Sequence, residues 1–349
     1  MNPIKIAIDC RMLKHSGIGT FIKGILDEIY QYPHQKFYLF GNEHDLAVYK
    51  DENVLIIPVD IPIFSFSEIA KYPSKIVNEC DFFLVPNINI PGRIKIPVIT
   101  VIHDVLFLDM PEILSNKLSY YVRRFFYKRA VKLSTKIITV SEFSRQRILH
   151  HFINKEVIIA YNGVPKDVIE FKNKVHLFQK KEYFVYVGNL KQHKGIITLI
   201  TTFKKLGGDH KLLIVGSANK LKTADEKVKK LISEQNGLSN IEFTGYLKRD
   251  ELLKVILEAK ALIQPSLYEG FGLPPLEALV LGTNCILSDI EVFKEVYRNC
   301  EVDFFQTEDA DQLYAILESF KPYSFDSVEL QAKFSYKQTL ATILSTMTK

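Results

Sequence analysis

An alternation runs through almost the whole chain and constrains its fold more than any other feature: short β-rich apolar runs separated by longer amphipathic segments. Residues 4–9, 37–40, 81–86 and 98–103 read as strands, with a helix over 19–30 between the first two. Residues 136–140 form another, followed by a helix near 142–151, and the strand 157–160 runs into the turn-rich Tyr161-Asn162-Gly163-Val164-Pro165 and a polar stretch, 166–182. The pattern then restarts, with strands at 183–187, 211–215, 241–243, 261–264 and 284–287, each spaced from the next by a helical segment. Such alternation predicts parallel sheets flanked by helices, an α/β class. The restart predicts two doubly wound domains, 1–168 and 169–333, with a cleft between them. The segment 334–347 reads as one more helix, and periodicity does not say on which domain it packs.

Composition narrows the function classes. A chain of 349 residues with 47% hydrophobic and 24% charged residues is ordinary globular material that favours two cores over one. The N-terminal MNPIKIAIDCRML lacks a leader pattern and no window nears eighteen uninterrupted apolar residues, so a cytoplasmic protein is expected. Cys10, Cys80, Cys285 and Cys300 stand far apart, without metal-ligand or redox spacing, and read as reduced thiols. A formal charge of +5 is too mild for a nucleic-acid binder.

Ligands of open parallel sheets bind beyond the carboxyl ends of the strands, and the unusual residues of this chain follow its strands. Ser266-Leu267-Tyr268-Glu269-Gly270-Phe271-Gly272-Leu273-Pro274-Pro275-Leu276-Glu277 follows a buried strand and opens a helix near its two prolines. Gly270 and Gly272 permit close backbone approach, and a proline in the first turn leaves amide N–H groups and the positive helix end for an anion such as a diphosphate. A tight structural turn, with Glu277 merely favouring a helix start, fits the isolated motif too.

Glu269 to Ala278, two glutamates with seven residues between them, resembles the hallmark of the family-4 retaining glycosyltransferases. The resemblance continues through Ser16-Gly17-Ile18-Gly19, His103-Asp104, Val140-Ser141-Glu142-Phe143-Ser144, Asn162-Gly163-Val164 and Val187-Gly188-Asn189-Leu190-Lys191-Gln192-His193-Lys194-Gly195, in the family's order. It implies the GT-B fold, two Rossmann-like domains facing across a cleft. The nucleotide sugar would sit on the C-terminal domain and the acceptor largely on the N-terminal one, with a terminal helix, 334–349, returning to the latter. It further implies catalytic roles for Glu269, His103 and Lys194. Donor contacts would come from Gly17, Gly19, Asn189, Lys191, Lys194, Gly270, Phe271, Gly272, Leu273 and Glu277. Glu277 would hold the ribose hydroxyls and Lys194 the diphosphate. His103 would touch the donor sugar rather than act as a base.

Most relatives place an arginine where this chain has Asn189, so the usual pair of phosphate-binding cations is incomplete, and Lys191 or His193 is expected to supply part of the missing charge. The family needs no cofactor and no metal, so Asp9 and Asp104 are not read as ligands. Gly17-Ile18-Gly19 is not a dinucleotide fingerprint, because the next glycine is Gly24. In motif style the chain is similar to bacterial capsule and O-antigen mannosyl- or rhamnosyltransferases. That implies a hexosyl group moved from a nucleoside-diphosphate sugar to a glycan or polyprenyl-diphosphate-linked acceptor. A degenerate, non-catalytic GT-B subunit of a glycosyltransferase complex is the second reading, and another enzyme on the same scaffold, such as an epimerase or phosphorylase, the third.

The segment 117–136 carries seven Lys or Arg, no Asp or Glu, and interleaved Tyr120, Tyr121, Phe125, Phe126 and Tyr127. Two readings stand: a helix on the inner face of the cell membrane, or an amphipathic helix whose aromatics are core and whose charges are solvated.

Overall fold

The computed structural model describes residues 3–114, 116–153, 155–175, 178–208, 210–216 and 239–347. The chain forms two compact units, residues 1–163 with 334–349 and residues 164–333. Each is a parallel sheet with helices.

Unit 1 holds β1 (Ile4–Asp9), β2 (Gln35–Gly41), β3 (Val54–Pro58), β4 (Phe82–Val85), β5 (Val98–Val101), β6 (Lys136–Thr139) and β7 (Val157–Ile159), in spatial order β3-β2-β1-β4-β5-β6-β7. β4 and β5, FFLV and VITV, are buried at every position, which is what continuous apolar runs become when helices cover both sheet faces. The helix Ile18–Leu26 turns Phe21, Ile22, Ile25 and Leu26 inward at helical spacing.

Unit 2 holds β8 (Tyr183–Val187), β9 (Lys211–Val215), β10 (Ile241–Gly245), β11 (Ala261–Gln264), β12 (Asn284–Ser288) and β13 (Asp303–Phe305), ordered β10-β9-β8-β11-β12-β13. Its core gathers Phe184, Tyr186, Leu199, Phe203, Ile214, Ile263 and Phe305. The strand order reverses between β1 and β4 in unit 1 and between β8 and β11 in unit 2. Loops diverge at such points and leave a crevice beyond the carboxyl ends.

The structure changes the sequence reading in places. The unit boundary falls at Gly163/Val164 rather than after 168, because the helix Lys166–Lys174, taken for polar linker, packs on the helices Arg249–Glu258 and Leu273–Val280 of unit 2. Edge strands β3 and β13 are additional. The helical segment expected between β9 and β10 falls outside the described residues. The last helix, Tyr336–Ser345, packs on unit 1: the Tyr336 ring covers Gly24, where any Cβ would lie 2.4 Å from it, and the Thr339 hydroxyl donates to the Tyr161 carbonyl at 2.6 Å.

Candidate active site

The loops after β8 and β11 meet at the reversal of unit 2. Gly195 makes this possible: its φ is +67°, and a Cβ there would lie 1.7 Å from the Pro265 carbonyl oxygen. The Leu267 N–H donates to the His193 carbonyl at 2.8 Å, tying one loop to the other. Lys194, on a short 3-10 turn, is thereby brought to Glu269, and its ammonium lies 2.7 Å from both carboxylate oxygens. The Ser266 hydroxyl donates to Glu269 Oε1 at 2.8 Å. The pair stays partly open, with side-chain exposures of 21% and 12%. An ammonium has three donors and Glu269 takes two, so capacity for an anion remains.

Gly272, at φ +99°, precedes the helix Leu273–Val280, whose first turn contains proline and no acidic residue. The Phe293 ring lies 2.5 Å from where a Gly272 Cβ would stand, and the Tyr297 hydroxyl donates to the Gly272 carbonyl. These contacts fix a loop whose amides and helix N-terminus favour negative charge. Glu277 sits on that helix, 8% exposed, and accepts from Arg249 Nη1 and Nη2 at 2.9 Å each. Arg249 Nη2 also donates to Asp167 at 2.9 Å. Sequence reasoning missed Arg249. The signal was its position just past β10, at the carboxyl end where ligand-facing residues gather.

Asn189 is exposed and uncharged, and its carbonyl shapes the loop by accepting from the Tyr186 hydroxyl and the Lys191 N–H, both at 3.0 Å. His193 does not replace the absent arginine. Burial first, then Lys194 and Lys191, push its pKa down to about 3, so it is neutral near pH 7. Lys191 stands beside the loop as the N-cap of the turn that carries Lys194.

The remaining predicted residues belong to unit 1. Gly17 caps the helix Ile18–Leu26 at φ +74° and has no neighbour within 4 Å of a Cβ position. Gly19 lies inside that helix, where a Cβ would approach the Leu13 carbonyl to 2.3 Å. The His103 ring, crowded by protein, donates through Nε2 to the Pro86 carbonyl at 3.1 Å, and packs edge-on against Phe21 at 5.0 Å. A carbonyl can only accept, so Nε2 carries the proton. Desolvation pushes the His103 pKa down to about 4, against the Pro86 bond, which suits a neutral polar contact rather than a cation. Asp104 is committed to the Leu106 N–H at 3.0 Å, and Asp9 to Arg11 at 2.6 Å. Among the described residues no three His, Cys, Asp or Glu side chains form a set able to hold a metal ion.

The helix Lys117–Leu133 buries only Tyr127, Ala130 and Val131. Leu118, Tyr121 and Phe125 are 71%, 64% and 58% exposed, so most of its aromatic face is not core. No helix among the described residues is long and apolar enough to cross a membrane.

Two parallel α/β units, each reversing its strand order near the middle of the sheet, are the architecture of the GT-B class. Comparison with known proteins agrees: the models of Glycosyl transferases group 1 and Glycosyltransferase Family 4 match residues 167–337 and 79–168, and the chain belongs to this glycosyltransferase family. It is 30% identical over 201 residues to the O-antigen chain mannosyltransferase RfbU of Salmonella typhimurium, covering 57% of this chain and 54% of that one. It is 24% identical over 224 residues to O-antigen chain mannosyltransferase B of Escherichia coli, covering 60% and 58%. The chain thus spans little more than half the length of these curated relatives. Among solved structures it resembles Anabaena Alr3699/HepE in complex with UDP and glucose, with TM-score 0.70, 16% identity and 99% of each chain covered. The apo lipopolysaccharide outer core galactosyltransferase WaaB gives TM-score 0.64 at 16% identity, covering 98% of this chain and 100% of that one.

Proposed function

We propose that this protein transfers a hexosyl group, mannose first and rhamnose second, from a nucleoside diphosphate to a glycan or lipid-linked acceptor in bacterial surface-polysaccharide synthesis, with retention at the anomeric carbon. The observation that carries the reading is the Lys194–Glu269 pair held beside the Gly270–Leu273 amides at the strand reversal. Mannose is favoured because O-antigen mannosyltransferases recur among the relatives.

In the proposed reaction the C1–oxygen bond to the diphosphate breaks, and the acceptor oxygen bonds to C1 on the same face. The acceptor's proton passes to the leaving phosphate. Lys194 and the loop amides stabilise the charge growing on that phosphate, where preorganised donors act most strongly. Glu269 holds the hexose hydroxyls, Glu277 the ribose, and neutral His103 the sugar. No divalent ion enters the scheme. Donor hydrolysis followed by proton NMR tests it: GDP-α-mannose must release α-mannose first, in EDTA as well as without it, and β-mannose first would refute retention.

The exposed Asn189 favours a second reading, a partner-binding subunit without turnover. It predicts no donor hydrolysis and no nucleotide binding. The basic helix Lys117–Leu133, with Leu118, Tyr121 and Phe125 outward among its lysines and arginines, supports peripheral contact with an anionic membrane. Phe125→Glu is expected to abolish sedimentation with phosphatidylglycerol vesicles, and unchanged sedimentation would remove the helix from that role.

A further inference from the structure

The Arg249 fork differs from two other ion pairs that follow strands, those of Arg11 and Lys194. Arg11 is sealed, with Asp9 and Glu68, at 3% side-chain exposure or less. Lys194 meets Glu269 as a point charge. Arg249 is 34% exposed, yet its guanidinium is fixed by three 2.9 Å bonds, two to Glu277 and one to Asp167. It is the first residue of the helix Arg249–Glu258 after β10, and Asp167 lies in the first turn of the helix Lys166–Lys174. Two helix starts and the middle of the helix Leu273–Val280 are therefore joined at one guanidinium. Burial alone would weaken its charge, but the two carboxylates outweigh that and hold its pKa above the ordinary range.

A planar guanidinium matches a carboxylate bidentately and fixes its plane as well as its position. Each Glu277 oxygen gives one lone pair to Arg249 and keeps capacity to accept again. The result is two fixed acceptors side by side, the arrangement that suits two neighbouring hydroxyls. Charge points the same way. With two carboxylates on one guanidinium, the Glu277 oxygens remain acceptors, which suits O–H donors better than phosphate.

Resting on the reading of Glu277 as the ribose contact, we infer that Arg249, braced by Asp167, is a positioning residue that presents the Glu277 carboxylate to the vicinal hydroxyls of the donor's ribose. Arg249 acts through Glu277 and does not replace the arginine missing at Asn189, because two carboxylates hold its guanidinium where Lys194 meets one.

Isothermal titration of the full chain with GDP and UDP, each beside its 2′,3′-dideoxy form, tests this. The wild type is expected to prefer the ribose forms by about tenfold or more. Arg249→Ala should lose most of that preference while its affinity for the dideoxy forms stays within about twofold, and Arg249→Lys, which cannot span both oxygens, should fall between. Equal loss on ribose and dideoxy forms, or an undiminished preference in either variant, overturns the inference. If Arg249→Ala does not fold, an undiminished preference in Arg249→Lys still overturns it. A wild type without ribose preference, or Glu277→Ala retaining it, removes the ribose reading and this inference together. Glu277→Ala losing the preference while the Arg249 variants keep it removes the Arg249 role alone.

Discussion

The two units share one winding and differ in what stands at their strand reversals. Beyond β1, unit 1 closes a cluster in which Arg11 bonds Asp9 and Glu68 at 2.6 Å each and lies 4.8 Å over the Tyr72 ring, all of it out of water. Burial raises the Glu68 pKa while Arg11 opposes the rise. Beyond β8 and β11, unit 2 leaves its pairs partly open: Lys194 at 21% and Arg249 at 34% exposure. A sealed network has its hydrogen bonds consumed and serves the fold. An open one can admit a ligand without first being dismantled, which is why the donor is assigned to unit 2.

The largest expected effect lies on the sealed side. Arg11→Ala leaves two buried carboxylates without their cation and should destabilise unit 1 by about 3–5 kcal/mol, read by urea denaturation. A loss under about 1 kcal/mol would show that the cluster is not structural and erase the contrast. Next, Lys194→Ala and Glu269→Gln should each lower turnover by about 10²–10³-fold, with far smaller stability losses than Arg11→Ala. Turnover within about threefold of wild type would break the assignment of chemistry to these loops.

Glycines sharpen the comparison at smaller scale. Gly195→Ala combines positive φ with a 1.7 Å clash on the Pro265 carbonyl, and should cost about 1–3 kcal/mol and weaken donor binding by displacing Lys194. Gly282→Ala, at φ +79° with nothing within 4 Å of its Cβ position, meets only the backbone penalty and should cost about 1–2 kcal/mol. Equal effects on donor affinity would show that the β8 loop does not need its close approach to β11.

The last expected effect is a pH dependence. His103 and His193 are held neutral by burial, with pKa values pushed down to about 4 and about 3 from an unfolded value near 6.5. The unfolded chain therefore binds more protons below about pH 6.5, and stability falls as the pH drops through that window. The His103 contribution levels off near pH 4 and that of His193 near pH 3. His103→Asn and His193→Asn should each flatten part of the fall, and curves parallel to wild type would contradict the assigned burial.

What was legible in the sequence is what local chemistry determines. The Glu269–Glu277 segment announces itself because glycines and prolines must sit at fixed offsets around a strand-to-helix turn, and the central strands because β4 and β5 are apolar at every position. β3 escaped because it is largely unburied and ends at Pro58, and β13 because it has three residues and begins with Asp303. The helix Lys166–Lys174 buries only Val168, so its three apolar residues leave a weak pattern among six polar ones. Arg249 was invisible for another reason: its meaning lies in reaching Glu277, 28 residues away, and Asp167, 82 away. The seat of the last helix likewise depends on Gly24 and Gly163 meeting Tyr336, contacts that span the chain.

The central claim is that the unit 2 loops hold a nucleotide sugar without help from a divalent ion. Thermal shift in EDTA, with GDP-mannose, dTDP-rhamnose, UDP-glucose and UDP-N-acetylglucosamine against wild type and Glu277→Ala, tests it most directly. The account predicts that one donor, GDP-mannose first, stabilises the wild type and fails to stabilise the variant. No shift from any donor, a shift of equal size in Glu277→Ala, or one that requires added metal would contradict it.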